Sequence, residues 1–485
     1  MQRRTVLTAV ALFLSFLQGV MWEPFAAEEQ KLVIIHLNDI HARLDTFPKA
    51  AAWIEKERRQ TPNLLLLSAG DNFTGNPAVD QFEPPGLPIM EFMNKLSFDA
   101  AAFGNHEFDY GQEILGQHMR QARFPFLCAN IEITGGTLPS PVPFLIKKTR
   151  DGLRIAILGL IQRNPDTGIP DSHPDRLKGL RFSDPQKRAK EFQYLRQQCD
   201  VFVALSHLGF EEDIVLAQSM PELDVIIGGH SHTLVREPKL TNGVLIVQAG
   251  GNLQFLGRIE LTLQNQKLVQ KTAGLIELAQ LSEEDPWFKN RVQEFNNNPR
   301  LMRVLAVLSA PLQGKEALGS LMCDAVKEAL SLDFVFQNNG GIRVNSLSGN
   351  ILVRDIYRID PFSNDIIVFR MTPAEIRGLI TSAFNRRKEI DLQAGGLSYE
   401  VIPDAEGKAA QVRLKNPDGS PLEENRSYRV GLNSYIAAGY RFAHQDPGAS
   451  AHTSCAESLL KFIGSGKDLN PYRTAHRARI QTPSP

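Results

Sequence analysis

Leu32-Val33-Ile34-Ile35 is followed within a few residues by Asp39 and His41, and this stretch sets the pattern for the first half of the chain. Leu64–Leu67 leads likewise into Asp71, and Ala100–Phe103 into Asn105 and His106. Val201–Leu205 leads into His207, and Val225–Ile227 into His230 and His232. Short, continuous apolar runs read as strands buried on both faces, as in sheets covered by helices. In such α/β sheets the chemistry gathers beyond the carboxyl ends of the strands. Five runs that each end in a residue able to hold a divalent metal predict an α/β fold with a metal site along one sheet edge.

Asp39, His41, Asp71, Asn105, His207, His230 and His232 form the candidate ligand set. Carboxylate, imidazole and amide oxygen together suit Zn, Mn or Fe rather than an all-oxygen calcium site. The set is too large for one tetrahedral ion. It fits two divalent transition-metal ions sharing a carboxylate, with Asp71 as the bridge. Ions ~3.5–4 Å apart bind a phosphoryl group, lower the pKa of a water and clamp an in-line displacement. Turn chemistry is the competing reading, because Gly104-Asn105-His106 and Gly228-Gly229-His230-Ser231-His232 also make good tight turns. It accounts for the glycines and leaves the strand-end histidines unexplained. Of the remaining histidines, His118, His173, His444, His452 and His476 are expected in solvent, and His36, inside a strand, in the core or behind the ligands.

A chain of 485 residues exceeds one ordinary core and implies two domains. Hydrophobic content of 42% with 22% charged residues is that of a folded soluble protein. The net charge of −1 gives no support for nucleic-acid or membrane-surface binding driven by overall charge. At the amino terminus Arg3 and Arg4 precede the apolar stretch Val6–Met21, followed by Pro24, Phe25, Ala26 and Ala27. That order reads as an export signal over residues 1–27, with a periplasmic destination. Phe25 or Pro24 would occupy a position that prefers a small residue, so an uncleaved membrane anchor is the alternative. The apolar run is shorter than the ~20 residues a spanning helix needs, and Gln18 interrupts it, which favours cleavage and no stable membrane partner. Cys128, Cys199, Cys323 and Cys455 have neither zinc-ribbon nor redox spacing. They read as one or two disulfides, or as four buried small hydrophobes.

From residue 31 to 276 apolar strands alternate with helical stretches such as Lys49–Arg59, Ile89–Lys95 and Pro185–Gln198, and Arg258–Leu263 and Leu268–Leu275 close this first domain as strands. Asp285 as cap and Pro286 in the first turn then start a connector helix over 282–299, fading at Asn296-Asn297-Asn298-Pro299. A second, α+β domain is expected over 300–481, with helices at Glu316–Leu330 and Pro373–Phe384.

The blocks His36-Leu37-Asn38-Asp39-Ile40-His41, Gly70-Asp71-Asn72, Gly104-Asn105-His106-Glu107, Ser206-His207 and Gly228–His232 resemble, in order, those of the calcineurin-like metallophosphoesterase superfamily. The longer forms Asn38–His41 and Phe103–Asp109 resemble its 5′-nucleotidase branch. That branch includes periplasmic UDP-sugar hydrolases, 2′,3′-cyclic-nucleotide phosphodiesterases and sulfur-oxidising thiosulfohydrolases. The resemblance implies a four-layer β-sandwich flanked by helices, plus a second α+β carboxy-terminal domain. It implies that Asp39, His41, Asp71 and His232 hold one ion, and that Asp71, Asn105, His207 and His230 hold the other. His106 would contact the phosphoryl group and Asp109 would orient it. An imidazolium there stabilises developing charge, and a carboxylate beside it raises its pKa. The plainer reading makes His106 a buried structural histidine and Asp109 a turn cap.

Asn338-Asn339-Gly340-Gly341-Ile342-Arg343 and Asp360-Pro361-Phe362-Ser363-Asn364 resemble the nucleotidase carboxy-terminal domain. By that resemblance Asn338, Gly340 and Arg343 bind substrate, and Phe362 and Tyr435 sandwich a base. Arg343 also stands on its own chemistry, since a guanidinium grips phosphate or carboxylate through two hydrogen bonds. Flat rings suit a base because stacking is worth ~1–3 kcal/mol and tolerates base identity. After Tyr435 the family runs into a Gly-Gly-Asp stretch, whereas this chain has Gly439-Tyr440-Arg441, without the aspartate for the ribose hydroxyls. An asparagine and an arginine of relatives are also absent near Lys315–Gly319. Ordinary turns and core aromatics are the competing reading of this domain.

The expected protein is an exported dimetal phosphoesterase acting on nucleoside 5′-monophosphates or related phosphate monoesters by attack of a metal-bound hydroxide. Its partner is a small-molecule nucleotide or phosphate ester rather than nucleic acid. The alternatives are hydrolysis of a UDP-sugar or 2′,3′-cyclic nucleotide, or thiosulfohydrolase-like chemistry, on the same scaffold. A non-catalytic binding module is a third reading, and the complete ligand set speaks against it.

Overall fold

The apolar runs pair as parallel strands, but in two sheets rather than one. The computed structural model describes residues 29–481, so the expected export signal lies outside the described residues. Glu29–Leu37, Leu64–Ser68, Ala100–Ala102 and Phe126–Leu127 run parallel, and antiparallel strands Phe255–Gln264 and Lys267–Glu277 complete a six-stranded sheet beside Glu29–Leu37. The second six-stranded sheet is centred on the parallel strands Arg154–Ile161, Val201–His207, Val225–Ile227 and Val244–Val247. Three of the five strand ends come from one sheet and two from the other, so the single sheet edge read from the strand runs is corrected, while the four-layer sandwich implied by the resemblance holds. Apolar content betrays a buried strand but does not encode which strand it pairs with.

Alternation along each strand explains the layering. Leu32, Ile34, Leu65 and Leu67 share one core with Val203, Leu205, Val225 and Ile227, between the two sheets. The intervening residues Val33, Ile35 and Leu66 face the opposite way, onto Phe47, Ala50 and Ile54 of helix Phe47–Gln60 and Ile89 and Phe92 of helix Leu87–Lys95. Phe202, Ala204 and Ile226 do the same against helices Pro185–Lys190 and Phe210–Ser219. Strands with apolar residues on both faces can be satisfied only by such a helix–sheet–sheet–helix stack.

The helix expected over Pro185–Gln198 ends early at Lys190 and resumes as a 3-10 helix, Gln193–Gln198. Phe192 and Leu195 are both buried, and the tighter turn brings residues three apart onto one side. Helix Pro286–Asn296 begins as expected, with the Asp285 carboxylate accepting from the backbone N–H of Trp287 at 2.9 Å and of Phe288 at 3.1 Å. It packs on the first domain, with the Phe288 ring 4.9 Å from that of Phe92, edge to face.

Beyond it, a five-stranded sheet is ordered Leu392–Gly395, Phe334–Asn338, Tyr428–Asn433, Asp365–Met371 and Ala449–Ser454. Val335 and Ile366 point to helices Gly314–Leu330 and Cys455–Gly464 on one face. Phe334, Phe336 and Val430 point to helix Pro373–Arg387 and a small three-stranded sheet on the other. All four cysteines are buried and free, the small-hydrophobe alternative. Among the described residues no helix is long and apolar enough to cross a membrane.

Candidate metal and phosphoester site

Strand ends from the two sheets meet, and the backbone there is bent sharply. Asp39, His41, Asp71, His230 and His232 all have left-handed φ, at 50°, 47°, 54°, 74° and 52°. Side chains with a Cβ adopt that region at a cost of ~1–3 kcal/mol each, and such residues cluster where function demands the geometry. Close packing enforces it: a Cβ on Gly104 would lie 2.2 Å from Asp71 Oδ1, so only glycine lets these two strand ends approach.

Potential donor atoms of Asp39, His41 and His232 converge in one group, and those of Asp71, His207 and His230 in a second. His41 links them, since its Nε2 lies 3.0 Å from His232 Nε2 and 3.9 Å from Asp71 Oδ2. Asn105 joins the second group through Oδ1, 3.0 Å from His230 Nδ1. All seven sequence-derived candidates are thus brought together, with Asp71 between the groups.

The histidines are oriented for coordination. His207 Nδ1 donates to Ala69 O at 2.6 Å and His41 Nδ1 donates to Thr74 O at 3.1 Å, which leaves each Nε2 as the free lone pair. A hydrogen bond behind a ligand histidine fixes its tautomer in this way. His207 is fully buried, yet its Nε2, 3.1 Å from Asp71 Oδ2, is not aligned for a hydrogen bond with it. A buried, unsatisfied imidazole nitrogen facing a carboxylate and a second imidazole is the donor set a divalent cation fits. Burial and its histidine neighbours act oppositely on Asp71, and the histidines win, holding its carboxyl well below the usual range. Burial opposes charge on His207, but Asp71 and Asp39 overcome it and raise its pKa, so these carboxylates favour a positive charge at Nε2, the place a cation would take from a proton.

His106 lies beside this set, one donor atom within reach of those of His41 and Asp71, but its ring is held by a different partner. Its backbone N–H donates to Asp71 Oδ1 at 2.8 Å, and its Nδ1 lies 2.6 Å from Asp109 Oδ2. Burial lowers its pKa, but Asp109 and Asp71 outweigh burial, so the net shift is upward and favours imidazolium. His36 is buried within its strand as expected, with burial lowering its pKa to about 3.

Glu107, which the sequence reading passed over, braces the loops. Its carboxylate accepts from the backbone N–H of Asp71 at 2.9 Å, Asn72 at 2.8 Å and Gly104 at 2.6 Å. Burial pushes its pKa up to about 7.

A cavity of about 400 Å³ opens from Asp71, His106 and His230 toward the second domain. Asn338, Gly340, Arg343, Phe362 and Tyr435 all line it, so every substrate-binding candidate reaches the same space as the metal-type cluster. Phe362 stacks on His106, centroids 5.7 Å apart and planes 19° apart, with the Arg343 guanidinium 5.6 Å from its ring. Tyr435 meets Tyr440 edge-on at 6.3 Å.

Two solvent assignments are corrected. His118 is fully buried, with Nε2 2.8 Å from Pro85 O and its ring stacked on Phe73 at 5.0 Å. His173 is buried on the cavity wall, where its Nδ1 accepts from the Asp175 N–H at 3.2 Å. The cavity also holds Asp171, Arg176, Arg386 and Arg387, which carried no sequence signal. Arg176 bridges the halves: Nη2 donates to Phe362 O at 2.9 Å, and Nη1 lies 3.8 Å from Asp109 Oδ1.

Comparison with known proteins agrees with this geometry. The family model described as calcineurin-like phosphoesterase matches residues 32–234, and that described as 5′-nucleotidase, C-terminal domain, matches residues 303–443. The chain is 28% identical over 495 residues to a 5′-nucleotidase of Vibrio cholerae, covering 86% of each. It is 26% identical over 471 residues to the trifunctional nucleotide phosphoesterase protein YfkN of Bacillus subtilis, covering 84% of this chain and only 32% of that larger protein. A crystal structure of the 5′-nucleotidase precursor from Thermus thermophilus superposes with a TM-score of 0.77 at 26% identity, covering 93% of this chain and 99% of that one. These matches and the converging donors define a metal-dependent phosphoester hydrolase. Within that class, the chain carries a calcineurin-like phosphoesterase domain followed by a 5′-nucleotidase carboxy-terminal domain.

Proposed function

We propose that this protein is an exported phosphomonoesterase that holds two divalent ions and releases phosphate from a nucleoside 5′-monophosphate or a related ester. The observation that carries the reading is the single cavity running from the Asp71 cluster to Arg343, Phe362 and Tyr435. Asp39, His41, Asp71 and His232 would hold one ion, and Asp71, Asn105, His207 and His230 the other. Bound there, such a pair supplies a nucleophile at neutral pH and neutralises charge on the phosphoryl oxygens.

The chain's own residues do the rest. The His106 imidazolium, held by Asp109, points a positive N–H at the phosphoryl group as charge develops. Arg343, beside Phe362 and electrostatically coupled to His41 and His106, reaches the same group from the second domain and fixes its orientation. Tyr435 offers a flat face to the remainder of the substrate. Export rests on the composition of residues 3–27.

The test is metal content together with turnover of p-nitrophenyl phosphate. Purified protein should carry close to two transition-metal ions per chain, and a chelator should abolish activity reversibly. Asp71→Ala should lose both ions. An active wild-type enzyme with one ion or none would overturn the dimetal reading.

A second substrate reading is favoured by Gly439-Tyr440-Arg441. The Tyr440 hydroxyl is committed to Asp391 and the Arg441 guanidinium to Asp166 O, so neither takes over the missing aspartate's bonds to ribose. A nucleotide-sugar, cyclic nucleotide or sulfur-oxyanion conjugate then competes with the monophosphate, and a panel of nucleotides, UDP-glucose and cyclic nucleotides separates them.

A further inference from the structure

Arg386 closes helix Pro373–Arg387 and enters the cavity at the Tyr435–Tyr440 wall, away from the metal-type cluster. A basic residue in the last turn of a helix ordinarily reaches into solvent and complements the helix dipole. Arg386 instead lies half-buried, its guanidinium 4.6 Å above the Tyr440 ring and bordering the Tyr435 hydroxyl. A guanidinium laid flat on a ring keeps the N–H groups of its edge free for a planar, two-oxygen partner.

Among the described residues Arg386 makes no salt bridge, whereas its neighbour Arg387 has Nε 3.9 Å from Asp391 Oδ1. The other acid on this wall, Asp171, is engaged elsewhere: Oδ1 accepts from Asn164 Nδ2 at 2.9 Å, and Oδ2 faces His230 Nε2 at 4.0 Å. Asp391 is turned to the Tyr440 hydroxyl. A half-buried cation that Asp171 supports only from beyond salt-bridge distance, facing a cavity and held by two aromatic residues, is poorly compensated by a neutral sugar and well compensated by an anion.

We propose that Arg386, supported by Tyr435 and Tyr440, is a specificity-determining residue that binds a second anionic group. The preferred substrate is then a phosphate monoester whose far end carries an additional phosphate or carboxylate. This rests on the phosphoesterase reading of the cavity: the scissile phosphate occupies the metal end, and the second anion the arginine end. The same charge accounts for a family member that lacks the ribose-binding aspartate, since an aspartate beside a second anion would repel it.

Two matched pairs of probes test it. Adenosine 3′,5′-bisphosphate is compared with adenosine 5′-monophosphate, and orotidine 5′-monophosphate with uridine 5′-monophosphate. Within each pair only a second phosphate or a base carboxylate differs. The wild-type enzyme should favour the doubly anionic member of at least one pair by about ten-fold in kcat/KM, carried by KM. Which pair shows it distinguishes phosphate from carboxylate. Arg386→Gln should bring that ratio close to one, and Arg386→Lys, which keeps the charge, should retain part of it. A ratio near one in the wild type, or one unchanged by Arg386→Gln, overturns the subsite while leaving the phosphoesterase reading intact. Failure of the metal-loaded wild type to hydrolyse any of the four nucleotides or p-nitrophenyl phosphate overturns that reading, and the subsite falls with it.

Discussion

His106 owes its role to what stands on either side of it. Asp109 holds Nδ1 at 2.6 Å, and Asp71 accepts from the His106 backbone N–H at 2.8 Å. The ring is placed by two carboxylates yet belongs to the side of the cavity that a phosphoryl group would enter. A residue so placed acts on charge that develops in the transition state, whereas a ligand acts on the ion. His106→Ala should therefore lower kcat by about 10²–10³ or more while metal content stays near normal. Asp109→Asn should cost less, because it loosens the ring without removing it. Kinetics paired with metal analysis separates the roles: a His106→Ala protein emptied of metal would make the residue a ligand. His207 shows the contrasting case. Its Nδ1 is committed to Ala69 O and its Nε2 has no aligned partner, so His207→Ala should lose metal and activity together.

The loop Asp360–Asn364 shows how an element carries charge and shape at once. The Asp360 carboxyl is fully buried, facing the backbone N–H of Phe362 and of Ala456 at the start of helix Cys455–Gly464. Burial pushes its pKa up to about 6 from an ordinary 3.8. The unfolded chain ionises this group first, so its contribution to stability is present below about pH 4 and lost as pH rises toward 6. The full swing is on the order of 3 kcal/mol. Asp360→Asn should flatten this part of the stability–pH profile, checked by urea unfolding at pH 4, 5, 6 and 7; parallel profiles for variant and wild type would refute it. The sequence displayed much at this scale. Strands buried on both faces declare themselves as continuous apolar runs, and Asp285-Pro286 announces a helix start. The division of those strands between two sheets came only from the motif resemblance and not from the runs themselves, because a Val or Ile run carries no record of its neighbour. Arg386 resembled any cation in a last helical turn, and Asp171 and Arg176 lie on a connection with no periodicity to flag them. The cluster from Asp39 to His232 was legible because its chemistry is written in residue type; the cavity's far wall was not, because it depends on which surfaces the two domains turn toward each other.

At the scale of the molecule, the proposed reaction draws on both domains at once. The metal-type cluster belongs to the first, and Arg343, Phe362 and Tyr435 belong to the region after helix Pro286–Asn296. Arg176 Nη2 reaches Phe362 O at 2.9 Å, Arg441 reaches Asp166 O, and the Phe362 ring lies on His106. On that reading a substrate bridging this gap must displace or slide beside Phe362, which predicts relative movement of the domains during turnover. The two rings then differ in what their loss does. Phe362→Ala removes a surface packed directly on His106 and should lower kcat as well as raise KM. Tyr435 packs on Tyr440 at the far wall, so Tyr435→Ala should act on KM for the native substrate, by about ten-fold from the loss of one stacking face. The same variant should change kcat/KM for p-nitrophenyl phosphate much less, since a small aryl ester reaches the metal end without filling the far wall. If Tyr435→Ala lowers kcat for the aryl ester and the nucleotide alike, the second domain works through the catalytic cluster rather than by selecting the substrate, and specificity must be sought in the first domain, at Asp171 and His173.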